Sequence, residues 1–229
     1  MKTKALLLAA AFAAAGAATS MAQVYSVNAV GYVNTTLKAG FNLVSNPLTA
    51  ADNTIGKLFL NIQGGVPDGT TVYKFKNGNF LISKYDELDG FYSGSATAET
   101  TLPGEGVFVK IPGGTADKTV TFVGEVKQNT TTVSIPPGFS IISSPVPQAL
   151  KFDAAKNTDG TTATFPVTDG DTVFQYDRGT ANYKVFKYDS LDGFFTPALP
   201  VIPVGEAVFY LYRGTSTARS EEHTSELQS

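Results

Sequence analysis

The chain has 229 residues, a formal net charge of −3 and no cysteine. Because it has no run of lysine or arginine, this weak negative charge gives no electrostatic footprint for nucleic acid or for an anionic membrane. The absence of cysteine excludes a disulfide scaffold and thiol chemistry, and with a single histidine, His223, it leaves no set of nitrogen and sulfur ligands for a metal.

Residues 1–22 have the pattern of a secretory signal peptide. Lys2 and Lys4 precede an apolar run rich in alanine and leucine, and residues 20–22 (Ser-Met-Ala) place small residues at both cleavage positions. We expect cleavage before Gln23 and a secreted, extracellular or periplasmic mature protein. A membrane anchor is disfavoured because the run is short for a span, and no membrane span is expected in the mature chain.

An internal repeat organises the rest of the chain. The string Lys-Tyr-Asp-x-Leu-Asp-Gly-Phe occurs at residues 84–91 and again at residues 187–194. Length changes between the anchors fall in Gly-, Asn-, Thr- and Pro-rich segments, which indicates insertions in loops. The other anchors, in the same order, are residues 30–33 with 123–126, 40–47 with 138–145, 71–75 with 172–176, and 104–108 with 205–209. Residues aligned in this way are called matching positions below.

The repeated segments are typical of strands and turns, because Gly, Pro, Thr, Asn and Asp separate short runs of Val, Ile, Phe and Tyr. Residues 24–37 predict one or two strands, broken near Gly31 by a bulge. Residues 54–62 predict the helix of the first copy, two turns long at most, because apolar residues recur with helical spacing. Asn53 is its predicted N-cap.

Residues 72–85 predict a β-hairpin. Asn77 and Gly78 suit a type I′ turn, in which both central residues need a positive φ. This turn fixes which side chains face each other across the two strands. The predicted facing pairs are Phe75 with Phe80 and Tyr73 with Ile82 in the first copy, and Phe174 with Val185 and Tyr176 with Tyr183 in the second, where two extra residues lengthen the tip.

These elements predict an all-β protein of two tandem homologous modules, each a β-sandwich or a barrel-like fold. The first module is assigned to residues 23–122 and the second to residues 123–218. Residues 219–229 resemble the translated read-through of a common sequencing adapter, which would make them an artefactual tail that includes His223. The second module is then truncated at its C-terminus, near Ala218. It would lack the counterpart of the strand at residues 119–123, and the tail would be disordered or poorly packed.

A family resemblance rests on two motifs. The opening Tyr-Ser-Val-Asn-Ala-Val-Gly-Tyr-Val-Asn at residues 25–34 resembles that of uncharacterised secreted β-repeat proteins of verrucomicrobial bacteria, and so does Gly-Phe-x-Leu/Ile-x-Ser-x-Pro at residues 40–47 and 138–145. The resemblance covers most of residues 23–218. It implies export and a β-rich repeat, but no activity and no functional residues.

Acidic residues cluster in the repeated string, at Asp86 and Asp89 in the first copy and at Asp189 and Asp192 in the second. Calcium prefers oxygen-rich loops of this kind, so calcium binding is one interpretation. The spacing is not that of an EF-hand, and the Asp-Gly pairs suit a bend in which the first Asp accepts backbone hydrogen bonds. We therefore favour a structural turn. Paired carboxylates could also cleave glycosides, but a repeated turn explains both clusters. No metal, cofactor or catalytic residue is assigned.

Aromatic residues surround the same string and could stack on sugars, or they could belong to the core. The candidates for stacking are Tyr85, Phe91 and Tyr92 in the first copy and Tyr188, Phe194 and Phe195 in the second. The sequence favours an exported, non-enzymatic extracellular or cell-surface protein with a structural or adhesive role. The alternative is a carbohydrate-binding module. Polysaccharide or another cell-surface protein would be the partner.

Overall fold

The structure is a computed structural model, and it describes residues 29–128, 131–152 and 167–222. The predicted signal peptide and residues 223–229 lie outside the described residues. The described part is all-β. Its strands are, in chain order, β1 Val30–Leu37, β2 Gly40–Ser45, β3 Thr71–Lys76, β4 Asn79–Asp86, β5 Phe91–Gly94, β6 Gly106–Ile111, β7 Lys118–Glu125, β8 Thr131–Ile135, β9 Gly138–Ile142, β10 Leu150–Lys151, β11 Thr172–Asp177, β12 Asn182–Asp189, β13 Phe194–Thr196, β14 Val201–Ile202, β15 Val208–Tyr212 and β16 Ala218–Glu222, and the helix α1 is Ile55–Leu58.

Two five-stranded antiparallel sheets have the same strand order at matching positions. The first is β2-β6-β3-β4-β5 and the second is β9-β15-β11-β12-β13. In the β3–β4 hairpin Asn77 has φ 52° and Gly78 has φ 78°, so the predicted turn is confirmed. All four facing pairs predicted from the turn are confirmed by the register of the two hairpins. The two hairpins therefore occupy equivalent places in their sheets.

A two-stranded ribbon of β1 and β7 packs with the first sheet. Its register runs without interruption from the pair Val30 and Glu125 to the pair Leu37 and Lys118, so the predicted bulge at Gly31 is wrong. Residues 24–28 of the predicted strand region lie outside the described residues. Gly31 lies opposite Gly124, where a Cβ atom would come within 2.4 Å of a backbone carbonyl oxygen. Gly124 is therefore explained by the close approach of another backbone segment, whereas a Cβ atom on Gly31 would meet the side chains of Val126 and Leu48. The predicted module boundary at residues 122 and 123 falls inside β7.

A second ribbon pairs β8 with β16, from Thr131 opposite Glu222 to Ile135 opposite Ala218. It corrects two expectations. Residues 219–222 are not a disordered tail but part of a strand, and the second half does not lack the counterpart of β7. Ladder hydrogen bonds join backbone N–H and C=O groups, which every residue of this segment carries, so low β-propensity of the side chains does not prevent pairing. β8, and not the end of β7, takes the place of β1.

Each sheet covers its own core. The first core fills the space between its sheet, the β1–β7 ribbon and α1, and the second lies beneath β11, β13 and β15. The helix is a single turn that buries Ile55 and Leu58, so a short helix is confirmed but it is shorter than the predicted range of residues 54–62. Its N-cap residue is Thr54 and not Asn53. The Asn53 side chain instead accepts a hydrogen bond from the backbone N–H of Ala50.

The two halves meet at a junction between the edge strands β2 and β9. The backbone N–H of Ser45 donates to the carbonyl of Gly205 at 3.0 Å, and that of Ser143 donates to the carbonyl of Gly104 at 2.9 Å. These are matching positions, so each edge strand bonds to the segment that precedes β15 or β6 of the other half. Among the described residues, no helix has the length and apolar character that a membrane crossing requires.

Candidate functional site

The Asp-rich loops are turns in both halves. Asp86 Oδ1 accepts hydrogen bonds from the backbone N–H groups of Leu88 at 2.9 Å and Asp89 at 3.4 Å. Asp189 Oδ1 accepts equivalent bonds at 2.8 and 3.4 Å from Leu191 and Asp192. The predicted structural turn is therefore confirmed. Within the described ranges, no group of three or more His, Cys, Asp or Glu side chains could hold a metal ion.

The aromatic residues predicted to stack on sugars divide by strand alternation. Tyr92 and Phe195 are buried and belong to the two cores, so they present no face to a ligand, which corrects their assignment. Tyr85 and Tyr188 pack against them, each with a ring-centroid distance of 5.3 Å. Phe91 and Phe194 precede the buried residues on the chain and are therefore on the opposite face of their sheets, where they are exposed.

That opposite face carries a continuous aromatic surface, which the sequence interpretation did not identify as a site. It is defined by five residues from each half. They are Phe41, Tyr73, Phe75, Phe80 and Phe108 on the first sheet and Phe139, Phe174, Tyr176, Tyr183 and Phe209 on the second. The predicted facing pairs of the two hairpins were the available signal, because they place these side chains on one side of each ladder.

The ring contacts of the aromatic surface repeat between the halves. Phe41 lies 5.9 Å from Phe108 and 5.7 Å from Tyr73. At matching positions, Phe139 lies 6.3 Å from Phe209 and 5.9 Å from Phe174. Contacts across the junction repeat too, with Phe75 on Phe209 at 5.5 Å and Tyr176 on Phe108 at 5.9 Å. The two sheets thus present one surface with approximate two-fold correspondence.

The middle of the aromatic surface is buried and its margins are exposed. Leu43, Phe108, Ile141 and Ala207 form a small core at the junction. The rings of Phe41, Phe80, Phe139 and Tyr183 remain between 39% and 50% exposed. Beside them is an apolar pocket of about 350 Å³ that is lined by Phe41, Tyr73, Phe80, Phe108, Tyr176, Tyr183 and Phe209.

The chemistry of this pocket is that of contact rather than of proton transfer. Every lining residue is aromatic, and its only titratable groups are tyrosine hydroxyls. Burial and the nearby Tyr176 raise the pKa of Tyr183 above its ordinary value, so its hydroxyl stays neutral. The ammonium group of Lys110 lies 5.4 Å from the ring centre of Phe41 and adds a cation at the margin.

A larger open cleft of about 1100 Å³ borders the aromatic surface on one side of the junction. Phe75, Phe139 and Phe209 contribute aromatic rings to it. Its other lining residues include Lys74, Lys76, Glu99, Glu105, Lys127, Thr132, Ser134, Pro136 and Pro137. Apolar contact area and convergent polar groups therefore occur together in this cleft, as they do in ligand sites.

The matching place on the other side of the junction is crossed by Arg178. Its guanidinium forms an ion pair with Glu206, through Nη2 and Oε1, and Nη1 donates to the backbone carbonyl of Thr36 at 2.6 Å. Glu206 matches Glu105. Thr36 is on β1, whose place is taken in the other half by β8, and β8 carries Ser134 in the wall of the open cleft. Arg178 belongs to the lengthened hairpin tip of the second half, so the insertion supplies the bridging side chain.

A buried carboxylate lies apart from both cavities. Asp171 accepts hydrogen bonds from the Tyr210 hydroxyl at 2.5 Å and from the backbone N–H groups of Thr168 at 2.7 Å and Arg213 at 2.6 Å. Burial raises the pKa of Asp171 above its ordinary value, against the effect of these bonds. The same burial and the Asp171 carboxylate raise the pKa of Tyr210. The Asp171 carboxylate and the Tyr210 hydroxyl hydrogen-bond to each other, and neither residue lines the aromatic pocket or the open cleft, which indicates a structural role.

The aromatic pocket and the mixed cleft are two cavities in which accessible side chains of the described residues converge. No protein-family model, no curated protein and no solved structure matches this chain. Function must accordingly be inferred from the chemistry of these two cavities.

Proposed function

We propose that the protein is an exported, non-enzymatic extracellular or cell-surface protein with a structural or adhesive role. It consists of two tandem homologous modules and holds its partners on the aromatic surface. The observation that carries this proposal is the aromatic surface itself, which continues across both sheets while the outer rings remain partly exposed. The duplication is supported by the shared strand order and by the repeated ring contacts.

A binding role follows from the cost of exposing such a surface. Contiguous apolar patches on soluble proteins mark sites of interaction, whereas scattered apolar residues do not. Aromatic side chains provide a large contact area with little loss of conformational entropy, because they have few rotatable bonds. The pocket beside Phe80 and Tyr183 offers no acid, base or nucleophile other than neutral tyrosine hydroxyls. Adhesion needs apolar contact area of this kind, whereas catalysis needs reactive groups, which the lining of the pocket does not provide.

A carbohydrate-binding module is the second candidate, and the open cleft favours it. The cleft combines the aromatic rings of Phe75, Phe139 and Phe209 with hydroxyl and charged side chains, whereas the pocket is wholly aromatic. Sugars need both an apolar face and hydrogen-bonding groups. Polysaccharide is therefore a natural partner for an adhesive protein with this cleft.

The proposal can be tested by cosedimentation with insoluble surfaces of different chemistry. The surfaces are cellulose, chitin and alkyl-coated beads, and the variant is the double substitution Phe80→Thr with Tyr183→Thr. Both residues are at matching, half-exposed positions of the aromatic surface, and threonine suits a strand. The matched control is Val30→Thr with Tyr32→Thr, because these exposed apolar residues are on the β1–β7 ribbon.

We expect the wild-type protein and the control to bind at least one surface and the Phe80/Tyr183 variant to lose most of that binding. Thermal unfolding of each variant checks that it is folded. Equal retention of folded variant and wild type on every surface would contradict a role for the aromatic surface. Release of soluble sugar from cellulose or chitin would contradict the non-enzymatic assignment.

A further inference from the structure

We propose that the open cleft binds a segment of a neutral oligosaccharide chain, and that Arg178 closes the matching cleft, so that each protein molecule has one such site. This inference rests on the proposed adhesive function and names the ligand class of one part of it. It concerns the cleft lined by Phe139 and Glu105, and not the wholly aromatic pocket beside Phe80 and Tyr183.

The difference between the two sides of the junction begins with one glutamate. Glu105 and Glu206 are at matching positions, but their cations come from different places. Lys74, from β3 of the same half, pairs with Glu105 at 2.7 Å. Its match in the second half is Gln175, which has no charge, and Glu206 is paired by Arg178 instead. Arg178 reaches across to the wall at Thr36, whereas Lys74 is buried in its own sheet and leaves the cleft open.

The charges of the open cleft favour a neutral ligand. Three lysines and two glutamates line it, which leaves a net charge of +1. Four of these five side chains neutralise one another, because Lys74 pairs with Glu105 and Lys76 pairs with Glu99, each at 2.7 Å. A polyanion would find one remaining lysine, Lys127. Such a lining attracts neither a nucleic acid nor a strongly acidic chain.

The size and the lining of the open cleft fit a chain of sugars. A volume of about 1100 Å³ is slightly above the usual range of ligand pockets, about 300–1,000 Å³, and exceeds what one monosaccharide fills. The aromatic rings can cover the apolar faces of sugar rings, while Thr132, Ser134 and Glu105 offer hydrogen bonds to hydroxyl groups. Thr132 and Ser134 are both exposed. Apolar residues such as Leu102 and Val133 also line the cleft, so an extended peptide is the competing ligand that the test must include.

The cleft is preorganised. The ring of Phe139 is 50% exposed, yet it is held by Phe174 at 5.9 Å and by Phe209 at 6.3 Å. Glu105 Oε2 accepts hydrogen bonds from Lys74 at 2.7 Å and from the backbone N–H of Leu102 at 3.0 Å, while 41% of the side chain stays exposed. Groups fixed before binding lose less entropy on binding, which favours affinity.

The test is calorimetric titration of the full-length protein with neutral hexasaccharides, namely cellohexaose, xylohexaose, laminarihexaose and mannohexaose. We expect at least one of them to bind with one site per chain. Phe139→Leu keeps an apolar side chain but removes the ring, and it should weaken binding roughly tenfold. Tyr32→Leu is the control, because Tyr32 is an exposed strand aromatic that lies outside both cavities.

Arg178→Ala provides the second arm of the test. It should open the matching cleft, where Phe41, Tyr176 and Phe108 occupy the positions that match Phe139, Phe75 and Phe209, and raise the stoichiometry from one site to two. If this variant does not fold, Arg178→Gln removes the ion pair with a smaller change in volume. A folded Arg178 variant that still binds one chain overturns the closure by Arg178.

Other outcomes separate this inference from the proposed function. If none of the four hexasaccharides binds at millimolar concentration, or if Phe139→Leu binds as well as wild type, the site assignment is overturned. The ligand class is overturned if an oligogalacturonate binds more tightly than every neutral chain. It is also overturned if an unrelated extended peptide binds and the neutral chains do not. In each case, loss of cosedimentation in the Phe80/Tyr183 variant would still support the adhesive function, and retained cosedimentation would remove it independently.

Discussion

Replacing Gly106 by alanine should destabilise the junction, and a second change at Ala207 should restore much of the loss. These are matching positions that face each other. A Cβ atom on Gly106 would lie 2.3 Å from the Cβ of Ala207 and 2.7 Å from Cγ2 of Ile141. The φ angle of Gly106 is not positive, so alanine can adopt this backbone and the expected cost is steric.

The magnitude follows from two opposing effects. Overpacking a well-packed core costs about 1–3 kcal/mol, and replacing glycine by alanine returns about 0.4–1 kcal/mol through the unfolded chain. Gly106→Ala should therefore lower the free energy of unfolding by about 1–2 kcal/mol. Ala207→Gly should also cost about 1–2 kcal/mol, because it removes a buried methyl group and adds backbone freedom. In the exchanged double variant the two Cβ atoms no longer meet.

The assay is urea unfolding of the wild type, both single variants and the double variant, analysed as a double-mutant cycle. We expect the double variant to be more stable than the sum of the single effects predicts, by about 1 kcal/mol or more. Gly113→Ala is the control, because nothing lies within 4 Å of its Cβ position, and it should change stability by less than about 0.5 kcal/mol. Strict additivity would refute the reasoning.

Three further predictions concern single residues and are read by urea or thermal unfolding. The buried hydroxyl of Tyr92 has no hydrogen-bond partner among the described residues, so Tyr92→Phe should be neutral or stabilising, whereas Tyr210→Phe should cost about 1.5–3 kcal/mol because it breaks a bond to a charged group. Since burial raises the pKa of Asp171, the contribution of this carboxyl group to stability should be complete below about pH 4 and should decline as the pH rises through the folded-state pKa. Tyr210→Phe should enlarge that decline, because it removes a hydrogen bond that lowers the pKa of Asp171. An identical pH profile of stability in the variant and the wild type would contradict this prediction. Asp86→Ala and Asp189→Ala should each cost about 1 kcal/mol, and calcium should leave the melting temperature unchanged; a calcium-dependent rise that Asp86→Ala abolishes would indicate a metal site instead.

Local rules predicted the features that depend on a few neighbouring residues. The pair Asn77 and Gly78 specified the turn, and the turn specified the facing residues of the hairpin, because a two-residue connection fixes the register. Asp86 was predicted to accept backbone hydrogen bonds within its own loop, and it does so. Neither prediction needed knowledge of what the sheet packs against.

Which face of each sheet is buried could not be derived in the same way. Strand alternation assigns Phe91 and Tyr92 to opposite faces, but it does not say which face meets the core. Tyr92 is buried in a core to which the β1–β7 ribbon and α1 also contribute, and these elements come from distant parts of the chain. The stacking assignment therefore included both residues, although one is in the core and the other is exposed. The aromatic surface was missed for the same reason, since its strands read equally well as core.

The segment Ala218–Glu222 shows a different limit of sequence reasoning. Residues 219–222 belong to the stretch that resembles a translated sequencing adapter. That stretch has low β-propensity and was expected to be disordered or poorly packed. The backbone nevertheless pairs with Thr131–Ile135 over five residues. An open ladder edge on β8 offers backbone hydrogen bonds to an extended segment whatever its side chains, and Ala218–Glu222 pairs with it.

Two differences between the matching segments lie where the two halves touch. Gly106 matches Ala207, and Arg178, which donates to Thr36 of the other half, has its origin in an insertion. A residue whose neighbours are the same in both halves can stay the same residue type, as the Asp residues of the turns do. A residue at the junction has the matching segment of the other half as its neighbour. Two alanines would overlap there, whereas a glycine opposite an alanine does not. Identical residues still serve the junction where they make hydrogen bonds to the backbone of the other half, as Ser45 and Ser143 do. Under the proposed duplication, the difference between Gly106 and Ala207 is therefore explained by the contact of the two side-chain positions with each other.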